Sequence, residues 1–258
     1  MDTTIRGPLA ALLLLLASSA RATDEATPGP AAEFKPARFS SGPSALVAHL
    51  AVPAYTQSAQ RIAAVYCQVD VWTNGEARTR KCFAHDQKRD KSFCVATSRA
   101  LKHTVFEPAA RNGEPIPVQF LFRVLYFCKD KACRMAMVPN VGFEDEEFGT
   151  LDYESPQPIL HRTGYSWIDN YIQRQGYLPA NVAGHLFTMS VPIDESGRPH
   201  EPVEFARSDL ADMGNFIRPA RSALLAGDFV PGHRGGRPVP MRYHVPLIFL
   251  SQADCGEF

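Results

Sequence analysis

Apolar residues stand two apart in four stretches of the chain. Val65, Cys67, Val69 and Val71 form the first, and Val118, Phe120, Phe122, Val124 and Tyr126 the second. The period returns at Phe187, Met189, Val191 and Ile193, and at Met241, Tyr243, Val245, Leu247 and Phe249. Period two predicts strands with one buried face. Helical spacing is found between and before them. Residues 56–64 place Ala59, Ile62 and Ala63 on one side, and residues 44–50 read as a short helical turn. A helix over 93–104 is ended by Glu107-Pro108, because proline cannot continue the ladder. Ser166 and Asp169 have capping-box spacing ahead of Trp167, Ile168, Tyr171 and Ile172, with Gly176 as the stop. Pro219 suits the first turn of a helix to Ala226, closed by Gly227. Asn74-Gly75 predicts a tight hairpin into a polar strand over 77–84. Pro199 and Pro202 leave the corresponding later strand a ragged edge.

These parts come in the same order twice. Residues 93–127 and 216–250 align without a gap at an offset of 123. The identical pairs are Phe93/Phe216, Ala100/Ala223, Leu101/Leu224, Phe106/Phe229, Pro108/Pro231, Arg111/Arg234, Gly113/Gly236, Pro115/Pro238 and Pro117/Pro240. Upstream the offset is 122, through Gly75/Gly197, Phe83/Phe205 and Ala84/Ala206, and one residue then enters the second copy. An internal repeat follows. Each copy reads strand, Gly-bearing turn, strand, short helix, Phe-x-Pro corner, Gly-Pro loop, final strand. The fold class is α+β: two tandem units, each a small antiparallel sheet with a helix. Residues 53–128 and 165–251 are the two units, 23–52 a flexible leader, 129–164 a linker and 252–258 a tail. The acidic run Glu144–Glu147 and Pro156/Pro158 predict a solvated, irregular linker, and Asp86 and Asp90 read as solvated loop charges. Whether the units pair within one chain or in a homodimer is open.

The order of parts, with the string ALKHTVFEPAARNGEPI, resembles the C-terminal domain of TonB-type energy transducers. The resemblance covers about residues 53–127 and 165–250 and is most specific from helix to loop. It implies a small sheet whose open edge accepts an extended segment of an envelope protein, a TonB-dependent receptor in that family, as an added strand. By position the accepting surface is Gln119, Leu121 and Arg123, with Arg242 and His244 in the second copy. Pro246 lacks a donor, so the first copy is the better candidate.

The first residues modify this picture. A short polar start with Arg6, the apolar run PLAALLLLLA and Ala20-Arg21-Ala22 predict a secretory signal cut after Ala22. The leader, even fully extended, reaches only about 70 Å. A soluble periplasmic binding or adaptor protein is therefore favoured over a membrane-anchored transducer. The formal net charge of zero disfavours nucleic acid as a partner. Cys67, Cys82, Cys94, Cys128, Cys133 and Cys255 all follow the signal, an even number in an oxidising compartment. Cys128 with Cys133 closes a local loop, and Cys82 can reach either Cys94 or Cys67.

No catalytic fingerprint is present, and neither enzyme activity nor a cofactor is expected. The loop Gly232-His233-Arg234-Gly235-Gly236-Arg237 has the look of an anion loop, but a glycine-dependent turn explains it better. The competing class, a metal-binding protein or enzyme, would use His233, His244 or the cysteines.

Overall fold

A computed structural model describes residues 32–55, 59–84, 86, 88–160, 186–206 and 214–248. The signal, the helix expected over 166–176 and Cys255 lie outside these residues.

The first copy is built on a four-stranded antiparallel sheet. Its order is β4 (Ala77–Ala84), β3 (Arg61–Val71), β8 (Val118–Lys129) and β9 (Ala132–Val138). Val65, Cys67, Val69, Val71, Val118, Phe120, Phe122, Val124 and Tyr126 are each at most 1 % exposed, so the period-two faces are the core faces. Helix α2 (Lys91–Leu101) lies on that face. Phe93 meets the Tyr126 ring at 4.6 Å, and Tyr126 OH bonds the Thr97 hydroxyl at 2.8 Å. Cys67–Cys82 and Cys128–Cys133 are disulfides across opposed strand positions. No described cysteine is free, so the Cys82–Cys94 alternative is not formed.

The second copy repeats the order with β12 (Leu186–Ile193), β13 (Glu204–Ala206), α4 (Gly214–Leu225) and β17 (Met241–Ile248), as the sheet β13-β12-β17. In both copies short strands form the corner and loop. They are β5 (Phe106–Glu107), β6 (Ala109–Arg111) and β7 (Glu114–Ile116), then β14 (Phe229–Val230), β15 (Gly232–Arg234) and β16 (Arg237–Val239). Gly75 and Gly197 have the same task. A Cβ would stand 2.1 Å from the Phe106 carbonyl oxygen at Gly75 and 2.0 Å from that of Phe229 at Gly197. Only glycine allows this approach, at φ of +82° and +79°.

Several expectations are corrected. Residues 61–64 belong to β3, not to a helix; Ala63 and Val65 continue its buried alternation. The segments read as leader and linker are part of the fold. Strands β1 (Phe34–Lys35) and β2 (Arg38–Phe39) pair with β6 and β5. Strands β10 (Tyr153–Glu154) and β11 (Gln157–Pro158) pair with β15 and β14. The two ribbons are equivalent: Phe34 faces Arg111 as Tyr153 faces Arg234. Phe39 is held by ring contacts at 5.3 Å to Phe120 and 5.1 Å to Phe122. Such pairs add about 0.5–1.5 kcal/mol each beyond simple burial. The helical turn expected near 44–50 is present as α1 (Leu46–His49).

The inserted residue also moves. Cys67 faces Cys82, whereas Met189 faces Phe205. Phe205 therefore matches Cys82 rather than Phe83, and the extra residue enters between Pro199 and Glu204. Asp90 is buried at 4 % exposure and paired with Arg61 rather than solvated.

Candidate functional site

The strand-edge residues divide by copy. Gln119, Leu121 and Arg123 are 3, 4 and 7 % exposed. The outer edge of β8 is taken by β9 from Arg123 to Lys129. The chain returns there through Asp130 and Lys131, both at positive φ, the geometry of a two-residue hairpin turn. At Arg123 the first copy therefore does not present an open β8 edge. Its outward side chains meet the rest of the chain. Gln119 Oε1 accepts from Tyr243 OH at 3.3 Å, and both Asp145 oxygens accept from Arg123 at 2.6 and 2.7 Å.

Asp145 begins the short helix α3 (Asp145–Phe148), so Glu144 and Asp145 of the acidic run dock inward while Glu146 and Glu147 stay exposed. Thr150 and Tyr153 OH also donate to its carboxylate. Burial pushes the Tyr153 hydroxyl pKa well above its ordinary value. Gly142 makes room for the guanidinium, since a Cβ there would stand 1.9 Å from Arg123 Nη1. One residue before this helix, Glu144 bonds His244, and Phe143 stacks on the imidazole at 4.6 Å. Burial holds His244 below the ordinary histidine value, while Glu144 pulls the other way. Arg242 reaches Ser190 Oγ at 3.0 Å and Glu204 at 3.0 Å.

Among the described residues β17 pairs only with β12, so it is an edge strand. The Pro192 carbonyl accepts from the His200 N–H at 2.8 Å, on the side away from β17. A strand residue sends N–H and C=O to the same side. Pro192 and its partner Arg242 thus form a non-hydrogen-bonded pair, as do Ser190/His244 and Thr188/Pro246, two residues further on each time. The backbone groups of Arg242, His244 and Pro246 face outward. The edge offers N–H groups at Arg242 and His244 and a gap at Pro246.

The loop 232–237 is a hairpin. Gly235 and Gly236 turn it at φ of +57° and +79°, as Asn112 and Gly113 turn its counterpart. No group of three His, Cys, Asp or Glu that could hold a metal occurs among the described residues. No helix among them is long and apolar enough to cross a membrane. The disulfides Cys67–Cys82 and Cys128–Cys133 are compatible with folding in an oxidising compartment. Sequence reasoning missed Glu144, Asp145 and Tyr153, because two-residue strands and a one-turn helix leave no periodicity. The proline at 246 was the signal for an edge, and it pointed to the second copy. No family model, no curated protein and no solved structure matches this chain.

Proposed function

We propose that this chain is a periplasmic, non-enzymatic binding or adaptor protein that takes an extended segment of an envelope protein as an extra strand on β17. The observation that carries the reading is the outer edge of β17, unpaired among the described residues, with the outward N–H groups of Arg242 and His244. An added strand gains affinity from main-chain hydrogen bonds and specificity from alternate side chains. The resemblance to TonB-type domains supports the same reading, and it makes a TonB-dependent receptor the first candidate partner.

Titration of residues 23–258 with peptides copied from receptor N-terminal segments tests it. Saturable binding is expected, with loss of binding when alternate peptide N–H groups are methylated. Arg242→Pro removes an outward donor without touching the β12 ladder, and should weaken binding about tenfold, the worth of a hydrogen bond or two. No affinity for any such peptide, or binding indifferent to methylation, would remove the strand-addition reading.

A further inference from the structure

The β15–β16 hairpin and the β10 segment enclose a cavity of about 270 Å³, lined among others by Leu151, Asp152, Glu154, His233, Gly235 and Gly236. Pockets for drug-sized ligands run to roughly 300–1,000 Å³, so this one suits a single long side chain or a small ion. His233 is only 2 % exposed. Its Nδ1 donates to the Pro231 carbonyl at 2.9 Å, which fixes that tautomer in the neutral ring. Nε2 has no partner among the described residues, so a buried imidazole offers a lone pair at the cavity wall.

The other polar side chains of the wall are the carboxylates of Asp152 and Glu154, and Tyr153, whose hydroxyl is already engaged with Asp145. Glu154 shares its charge with Arg38 at 2.8 Å. Asp152 makes no ion pair among the described residues and is an uncompensated negative charge at the mouth. Gly235 and Gly236 add bare backbone, with nothing within 4 Å of where a Cβ would stand. Leu151, 63 % exposed, gives the rim an apolar contact. The loop that reads in sequence as an anion loop thus faces acceptors. Those acceptors are not grouped to cage a metal ion. Spaced acceptors around a narrow cavity match a cation that carries several N–H donors on an apolar stem.

We propose that this cavity binds an alkylammonium or guanidinium group, with His233 Nε2 and the Asp152 carboxylate as its principal acceptors. The group can be a lysine or arginine side chain of a protein partner or a free small amine. The site is separate from the β17 edge and does not depend on strand addition.

The test follows the His233 side-chain nitrogen resonances of residues 23–258 during titration with n-butylammonium, with N-acetyl-lysine methylamide, and with its Nε-acetylated form. A saturable Nε2 shift is expected from the two cations and none from the acetylated control. Asp152→Asn, at an exposed position that leaves the fold intact, should weaken binding about tenfold, as loss of a charge-assisted bond does. Tighter binding of the lysine derivative identifies a protein side chain as the source, and tighter binding of butylammonium a free amine. No saturable shift with either cation, equal binding of the acetylated control, or an Asp152→Asn variant that binds as well would overturn the proposal.

Discussion

The two copies share their order of elements and differ in one backbone N–H on the outer side of β8 and β17. Arg123 in β8 and Pro246 in β17 are equivalent, and both send their backbone groups outward. Arg123 opens the ladder to β9 opposite Val138. Pro246 has no N–H to open one. In the first copy β8 is thus covered from Arg123 onward by its own hairpin, while among the described residues β17 keeps an edge, with outward donors at Arg242 and His244. The first copy also spends its outward side chains, Gln119 and Arg123, on contacts inside the chain.

The largest expected effect tests the sameness. Gly75→Ala and Gly197→Ala each drive a Cβ into a carbonyl oxygen at positive φ. Left-handed strain and overpacking together should cost about 4 kcal/mol at either site. Urea unfolding reads both losses. Equal losses mean the copies unfold as one cooperative unit, and a loss confined to part of the transition separates them. The next effect tests a difference. Cys67 and Cys82 are bridged where the second copy has Met189 opposite Phe205. Replacing both cysteines by alanine should cost about 3 kcal/mol, the closure entropy of a loop near 15 residues. An unchanged urea midpoint would mean the sheet holds that pair without the bond.

The smallest effect is a pH slope in the second copy. Burial lowers the folded pKa of His244 below its ordinary value of 6.5. The unfolded chain then binds more protons below that value, so stability falls as pH drops through about 6.5 towards the folded pKa. Arg242 adds to this depression, and Glu144 and Glu204 oppose it. His244→Gln should flatten the urea midpoint between pH 7 and 5. A wild-type midpoint already flat there would show that Glu144 offsets the burial. Asp194 acts in a separate window. Burial raises its pKa, but bonds from His200, Ser196 and Arg198 outweigh that and hold it well below 3.8, so its contribution is lost only as pH falls from there.

How much could be read in advance follows the length of each signal. The alternating stretches fall on core strands: the whole face is buried in the first copy, and Met189, Val191, Ile193, Met241 and Tyr243 are buried in the second. Helix α2 lies within a few residues of its expected span, whereas α4 starts at Gly214, so Pro219 is its sixth residue and not in its first turn. The polar strand after Gly75 is an edge, as Arg78 and Lys81 implied. The ribbons β1, β2, β10 and β11 are two residues each, too short for any period. Their partners are set by tertiary contacts such as Phe39 on Phe122. Strand β9 was nearer to legible. Cys133, Met135 and Met137 alternate after the Cys128–Cys133 loop, but Asp130-Lys131 lacks the glycine that usually marks such a turn. Glu144 and Asp145 looked solvated because their partners, His244 and Arg123, are 100 and 22 residues away. The cavity beside His233 was hidden for the same reason.

Gln157 reads the backbone of Ala37 with both ends of its amide, accepting from the N–H at 2.8 Å and donating to the carbonyl at 2.9 Å. A chain is synthesised from its N-terminus, and these partners are 120 positions apart. The opening residues of the first copy must wait, with that peptide group unsealed, until about three-fifths of the polypeptide has emerged. Contacts of such long range slow folding. Residues 32–39 therefore complete their packing only after Gln157 has been synthesised.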